Sequence, residues 1–172
     1  MNNLSTAMQY SPIVKYFFDT EFVEYQDRLI PVSIGVISES GNTYYAEFDT
    51  DWERWASPWV LENVKPHLEG NPKSVQQVRE ELIRYAGSLD CQFWAYFASS
   101  DWVVMCQVMG SLKNLPGNWQ PFVMDLAWLD PSLKKIRAVP FHNLKAHHAL
   151  WDARELRHRY QTLTKKSSLT GS

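Results

Sequence analysis

Five residues of this 172-residue chain have the types and spacing to do chemistry together: Asp19, Glu21, Asp101, His147 and Asp152. Asp19-Thr20-Glu21 sets two carboxylates two positions apart behind an apolar run, residues 14–18. Side chains of a strand alternate between its faces, so both acids point the same way. Two carboxylates on one face repel unless a cation lies between them, and hard ions such as Mg²⁺ and Mn²⁺ prefer oxygen donors. Asp101 follows a second apolar run, residues 92–97, and Asp152 ends the stretch His147-His148-Ala149-Leu150-Trp151-Asp152. Taken singly, each has an ordinary reading. Asp-x-Glu is a common solvated strand end, Asp101 a helix-start acid that complements the macrodipole, and Asp152 an exposed helix acid beside arginines. Either histidine alone reads as a surface residue. As an ordered set they are far harder to dismiss. The cysteine and histidine spacings do not make a tetrahedral zinc set.

The elements that must position these residues can be read from periodicity. Residues 14–18 form a strand delivering Asp-Thr-Glu at its end. Residues 29–37 and 43–48 form two more strands around the turn signal Ser40-Gly41-Asn42, giving an antiparallel meander. A short helix is expected over 60–67. Ser74 caps a helix to about Leu89, with Val75, Val78, Leu82, Ile83 and Ala86 at helical spacing. A compact strand over 92–97 leads to a helix over 101–109, capped by Ser99 or Ser100 and ended by Gly110. Residues 122–124 suggest a short strand, 134–145 a mixed loop, and 148–163 the last helix. The order predicts an α/β fold with a mixed sheet flanked by helices. Residues 1–14 read as an N-terminal extension, 15–163 as one domain and 164–172 as a frayed tail.

Apolar residues make up 45% of the chain, enough to bury a core without disulfides. Cys91 and Cys106 fall in no CxxC spacing, which fits a reduced, cytoplasmic setting. No apolar run is long enough to cross a membrane, and the N-terminus does not read as a signal peptide. The net charge is −2, but its distribution is uneven. Acids dominate residues 17–70 and bases dominate 133–166. Such halves suit cations and phosphates respectively, although two solvated faces of opposite sign would look the same.

The ordered motifs resemble the DEDD superfamily of 3′→5′ exonucleases, in its histidine-bearing, DnaQ-like branch with oligoribonuclease and RNase T. The segments Tyr16-Phe17-Phe18-Asp19-Thr20-Glu21-Phe22, Trp94-Ala95-Tyr96 through Asp101, Cys106-Gln107 and Gly110, and His147 to Arg154 resemble more narrowly the mycobacterial poly(A)-specific exoribonuclease family. The resemblance covers residues 15–160 and implies a ribonuclease-H-like fold. It implies two divalent ions per site, Mg²⁺ or Mn²⁺. Asp19, Glu21 and Asp152 would hold one ion, and Asp19 would bridge to the second, aided by Asp101 through water. Two ions about 4 Å apart clamp the attacking and leaving oxygens of an in-line displacement. His147 would be the general base. Helical i to i+4 spacing favours His148 as the partner of Asp152, whereas the family pattern has four intervening residues and favours His147.

The partners implied are single-stranded RNA 3′ ends, or single-stranded DNA ends with the same chemistry. A catalytically silent nucleic-acid-binding module is the third reading. Relatives are often homodimers. Phe22, Trp102, Trp52, Trp55 and Trp59 are candidates for stacking on bases, while Trp94 and Trp151 read as core. Lys145, Arg154 and Arg157 are candidates for phosphate contacts.

Overall fold

The computed structural model describes residues 12–129 and 146–169. The expected loop over 134–145, with Lys145, lies outside the described residues, as do residues 1–11 and 170–172 of the expected terminal segments.

A six-stranded sheet carries the molecule. Its strands are β1 (Val14–Tyr25), β2 (Arg28–Ser38), β3 (Thr43–Phe48), β4 (Pro72–Lys73), β5 (Cys91–Ala95) and β6 (Met124–Asp125), in the order β4-β3-β2-β1-β5-β6. β1, β2 and β3 form the expected antiparallel meander. β4, β5 and β6 each join in parallel, on β3, β1 and β5 respectively. This mixed sheet and its helices agree with the fold read from element order. The short helix expected over 60–67 divides into α1 (Pro58–Asn63) and a 3₁₀ turn at Lys65–His67. α2 (Val75–Ala86) begins at Ser74, whose side chain and that of Gln77 cap each other's backbone N–H groups.

Period-two alternation along β1 divides the core. Tyr16 and Phe18 pack with Phe93 of β5, with Val78 and Leu82 of α2, and with Val104, Met105 and Val108 of α3 (Ser99–Val108). Phe17 points the other way, into a cluster with Trp94, Leu126, Ala153 and Leu156. The last two belong to α4 (Ala149–Leu169), which lies over β1 and β2. Full burial of an aliphatic side chain such as Leu156 stabilises by roughly 1.5–3 kcal/mol, so this face fastens α4 to the strand that carries the acids. A third cluster of Val23, Val32, Trp52, Val60 and Val64 seats the 3₁₀ turn at Trp52–Trp55 and α1 against the far ends of β1 and β2.

Several boundaries differ from expectation for physical reasons. β1 does not stop at the acids but runs to Tyr25. The polar residues Asp19, Thr20, Glu21 and Glu24 interrupt the apolar run and hide the strand's second half. Its alternation nevertheless continues, with Phe22 on the Phe18 face and Val23 on the other. The register shift after Glu21 is taken up by an extra residue, Val32, in β2. α3 takes no side-chain cap from Ser99 or Ser100. Its N-cap is Ala98, and the preceding turn is held by Asp125, whose Oδ1 and Oδ2 accept the Phe97 and Ala98 amides at 3.1 Å each. α4 continues to Leu169, beyond the expected Leu163.

Candidate active site

The site forms where β1 passes beneath the start of α4. Asp19 and Glu21 share the β1 face that carries Phe17, so they look toward α4. Asp152, in the first turn of α4, meets them there. One carboxylate oxygen from each of Asp19, Glu21 and Asp152 lies within 4.8 Å of the others. Among the described residues no lysine or arginine pairs with Asp19 or Glu21. Gly35 makes the approach possible. It pairs with Asp19 across β1 and β2, and a Cβ there would fall 2.2 Å from the Leu150 backbone nitrogen. Any side chain at position 35 would push α4 off the sheet. A glycine inside an otherwise β-branched strand is the sequence signal for such close contact.

Thr20 points to the opposite face, and this is how the fourth acid arrives. Its backbone N–H and its hydroxyl both donate to Asp101 Oδ1, at 2.9 and 2.7 Å. Asp101 is buried in the first turn of α3, so it is a helix-start acid as its position suggested, but one that also faces the acid pair. Thr20 thus ties α3 to the acid pair that flanks it.

A cleft of about 510 Å³ is lined by Asp19, Thr20, Glu21, Asp101, His147 and Asp152, with Phe22, Phe97, Ser100 and Ala146. All five residues expected to act in chemistry therefore face one space. His147 lines it and His148 does not. His147 sits in the left-handed region with φ 68°, and its amide donates to Asp152 Oδ2 at 2.8 Å. Outside the helix, it escapes the i to i+4 rule that favoured its neighbour. Its ring meets the exposed Trp59 edge-on at 4.8 Å. His148 is buried, stacked on Tyr45 at 4.5 Å, with Nε2 3.6 Å from Glu69 Oε1.

The electrostatics follow from this crowding. Burial, then Asp101, Glu21 and Asp152, push Asp19 well above the ordinary carboxylate range. Burial and the charges of Asp152 and Asp101 push Glu21 to about 8. Burial raises Asp101 to about 6 against the opposing pull of the Thr20 hydrogen bonds, with the Asp125 charge adding to the rise. Carboxylates that resist ionising together are what a divalent cation relieves. The donors are all oxygens, so the set fits a hard ion.

The expected substrate contacts divide. Phe22 lines the cleft, paired with Pro31 where β2 carries the extra residue Val32. Trp102 does not: it points from α3 into the core, edge-on to Phe18 at 6.4 Å and tilted on Phe93 at 6.3 Å. One step along a helix turns a side chain by about 100°, which separates Trp102 from Asp101. Trp52 is buried, and Trp55 packs on Tyr25 at 4.0 Å. Trp151 is not core. It is 37% exposed, because the buried stripe of α4 runs through Ala149, Ala153 and Leu156. Arg154 lies over its ring at 4.6 Å. The Arg157 guanidinium donates twice to the Glu39 carbonyl, at 3.1 and 2.8 Å. Thr20, Gly35 and Phe97 were not singled out for these places by their spacing, whereas Trp59 was named as a stacking candidate. Thr20 had a signal in its parity between two acids.

Comparison with known proteins bears on the family and the fold. The profile of the Rv2179c-like 3′-5′ exoribonuclease domain matches residues 14–164. The 3′-5′ exoribonuclease Rv2179c of Mycobacterium tuberculosis H37Rv is 33% identical over 160 residues, covering 88% of this chain and 94% of that protein. The exoribonuclease MT2234.1 of strain CDC 1551 matches to the same extent. Among solved structures, the zinc-bound E. coli exonuclease I–ssDNA complex superposes with a TM-score of 0.65 at 11% identity, over 89% of this chain and 40% of that one. Exonuclease I of Methylocaldum szegediense gives 0.62 at 13%, over 90% and 41%. The chain thus spans less than half of those exonucleases, and the likeness to them is one of fold. With the family profile spanning nearly all of the sheet and α4, the chain belongs to the Rv2179c-like 3′-5′ exoribonuclease domain family.

Proposed function

We propose that the chain is a two-metal-ion 3′→5′ exoribonuclease that shortens single-stranded RNA to nucleoside 5′-monophosphates. The observation that carries this reading is the meeting of Asp19, Glu21 and Asp152 within 4.8 Å in a cleft that His147 also lines. Asp19, Glu21 and Asp152 would hold one Mg²⁺ or Mn²⁺, and Asp19 with Asp101 would serve a second. Such ions, when bound, neutralise charge at a phosphate and make a water more acidic.

The remaining work falls to the chain. The His147 imidazole takes a proton from the attacking water, the water oxygen bonds to phosphorus, and the P–O3′ bond breaks. The departing O3′ takes up a proton from solvent water, which leaves a 3′-hydroxyl on the shortened strand, and the nucleoside 5′-monophosphate leaves. Phe22 offers a ring to the terminal base. Arg154 would face the phosphates upstream of the scissile one. The domain over 15–163 is sufficient in this reading, the setting is cytoplasmic, and the protein acts as a homodimer. No helix among the described residues is long and apolar enough to cross a membrane.

Digestion of labelled RNA and DNA oligonucleotides with Mg²⁺ or Mn²⁺ tests the reading, with Asp19→Ala as control. An RNA ladder from the 3′ end that EDTA abolishes is expected. A ladder on DNA alone would replace the substrate class, and binding without laddering would overturn the enzyme.

A further inference from the structure

We propose that Phe97 is a second base-contacting residue of this cleft, presented there by Asp125 as a positioning residue. This deepens the exonuclease reading and rests on it. It assigns the site a preference for a 3′-terminal nucleotide whose base can stack, purines above pyrimidines.

Three observations carry the inference. First, Phe97 is 56% exposed and lines the cleft beside the carboxylates and His147. Phe122 and Trp128 are also exposed aromatics, yet neither lines it. Second, Phe97 holds φ at 52°, a left-handed conformation that phenylalanine rarely adopts. Strain of this kind survives where the surroundings over-determine it, and it gathers at ligand sites. Third, the surroundings do over-determine it. Asp125 follows β5 in register through the Ala95–Asp125 pair. Its carboxylate accepts the amides of Phe97 and Ala98 at 3.1 Å and of Ala127 at 2.9 Å. The Phe97 carbonyl accepts from the Ser99 amide at 2.8 Å, and the Tyr96 ring meets the Phe97 ring edge-on at 4.7 Å.

The fold therefore commits a half-buried carboxylate to keeping an apolar ring in water. Phe22 comes to the same cleft from β1, beside the register shift, and Phe97 from the turn between β5 and α3. Two phenyl rings beside an anionic, cation-seeking floor suit a nucleotide whose phosphate lies at the carboxylates and whose base lies against the rings. Stacking tolerates any base because every base has a π face. A purine has the larger face, which sets the expected order.

Steady-state kinetics on RNA oligonucleotides with Mn²⁺ test this, using 3′-terminal adenosine, uridine or an abasic nucleotide. For Phe97→Ala, KM on the adenosine end should rise roughly tenfold, about the loss of one stacking contact, and much more than kcat falls. The rise should shrink for uridine and vanish for the abasic end. Asp125→Asn should raise KM in the parent protein but not in a Phe97→Ala background. Phe97→Leu and Mn²⁺ calorimetry control for folding and for the acid cluster. Fluorescence of a 3′-terminal 2-aminopurine, with Ca²⁺ as the added ion, should be quenched by the parent and less so by Phe97→Ala. An unchanged KM with equal quenching would overturn the proposal, as would a fall in kcat alone or the same loss on the abasic end. If the parent ladders neither RNA nor DNA, the exonuclease reading falls instead, and quenching alone then decides for or against Phe97.

Discussion

Glu47 and Glu21 are acids on neighbouring parts of one sheet, and the fold treats them in opposite ways. Glu47 is buried on β3. Its carboxylate accepts the Tyr45 hydroxyl at 3.0 Å, the Gly70 and Asn71 amides at 3.0 and 3.2 Å, and a close contact from the Glu69 amide. Its lone pairs are used up in holding the loop that precedes β4. Glu21 is packed instead against Asp19 and Asp152, and burial, with the charges of Asp152 and Asp101, keeps its proton on to about 8. A buried acid is therefore no sign of function by itself. The sign is a buried acid whose electrostatic need the fold leaves to something outside the chain.

The comparison breaks most plainly at Asp19. Asp19→Ala should lower cleavage on the order of 10⁴-fold or more, the scale of deleting one member of a catalytic unit, in a gel-based RNA ladder. Asp19→Asn should do the same while raising the melting temperature of the metal-free protein, since it relieves repulsion. Next, His147→Ala should lower turnover by about 10²–10⁴-fold. His148→Ala should act mainly on the melting temperature, through its lost stack on Tyr45. The reverse pattern would make His148 the base. Smaller again, Gly35→Ala should destabilise by roughly 1–3 kcal/mol, and calorimetry should show weaker Mn²⁺ binding as Asp152 is displaced. Glu47→Gln should cost a similar ~1–3 kcal/mol in a denaturant melt and leave kcat near that of the parent. A large kcat loss there would erase the contrast.

The subtlest test is pH. Glu21 moves from an ordinary value of 4.5 to about 8 in the folded protein, and Asp101 from 3.8 to about 6. Across those windows the folded state holds more protons than the unfolded one, so stability falls as pH rises. It is fully present below the ordinary carboxylate range and lost by about 8. The melting temperature of the EDTA-treated protein should decline over that interval, and added Mn²⁺ should flatten the slope. An unchanged slope would mean the acids do not share a cation.

Much of this architecture is legible in the chain. The apolar run before Asp19, the turn at Ser40-Gly41-Asn42 and the Ser74 cap each act over a few residues, so local pattern reveals them. The acids were legible as an ordered set. What escaped depends on partners distant in sequence. Gly35 matters only because Leu150 comes to rest on it. Asp125 takes over from Ser99 and Ser100 across a parallel strand pair. Trp102 and Trp151 exchange their expected places because helix rotation, and not residue type, decides which ring is buried. The acids that make β1 matter also interrupt its apolar run, so its second half does not read as strand.

The amide of His147 and the acid cluster share Asp152, one oxygen of which already holds that amide. A side chain with so short a reach cannot retune one duty without disturbing the other. Lengthening it by a methylene, as in Asp152→Glu, would shift the imidazole and the ion seat together. Kinetic damage at position 152 will therefore compound two losses, and a double-mutant cycle with His147 should be strongly non-additive.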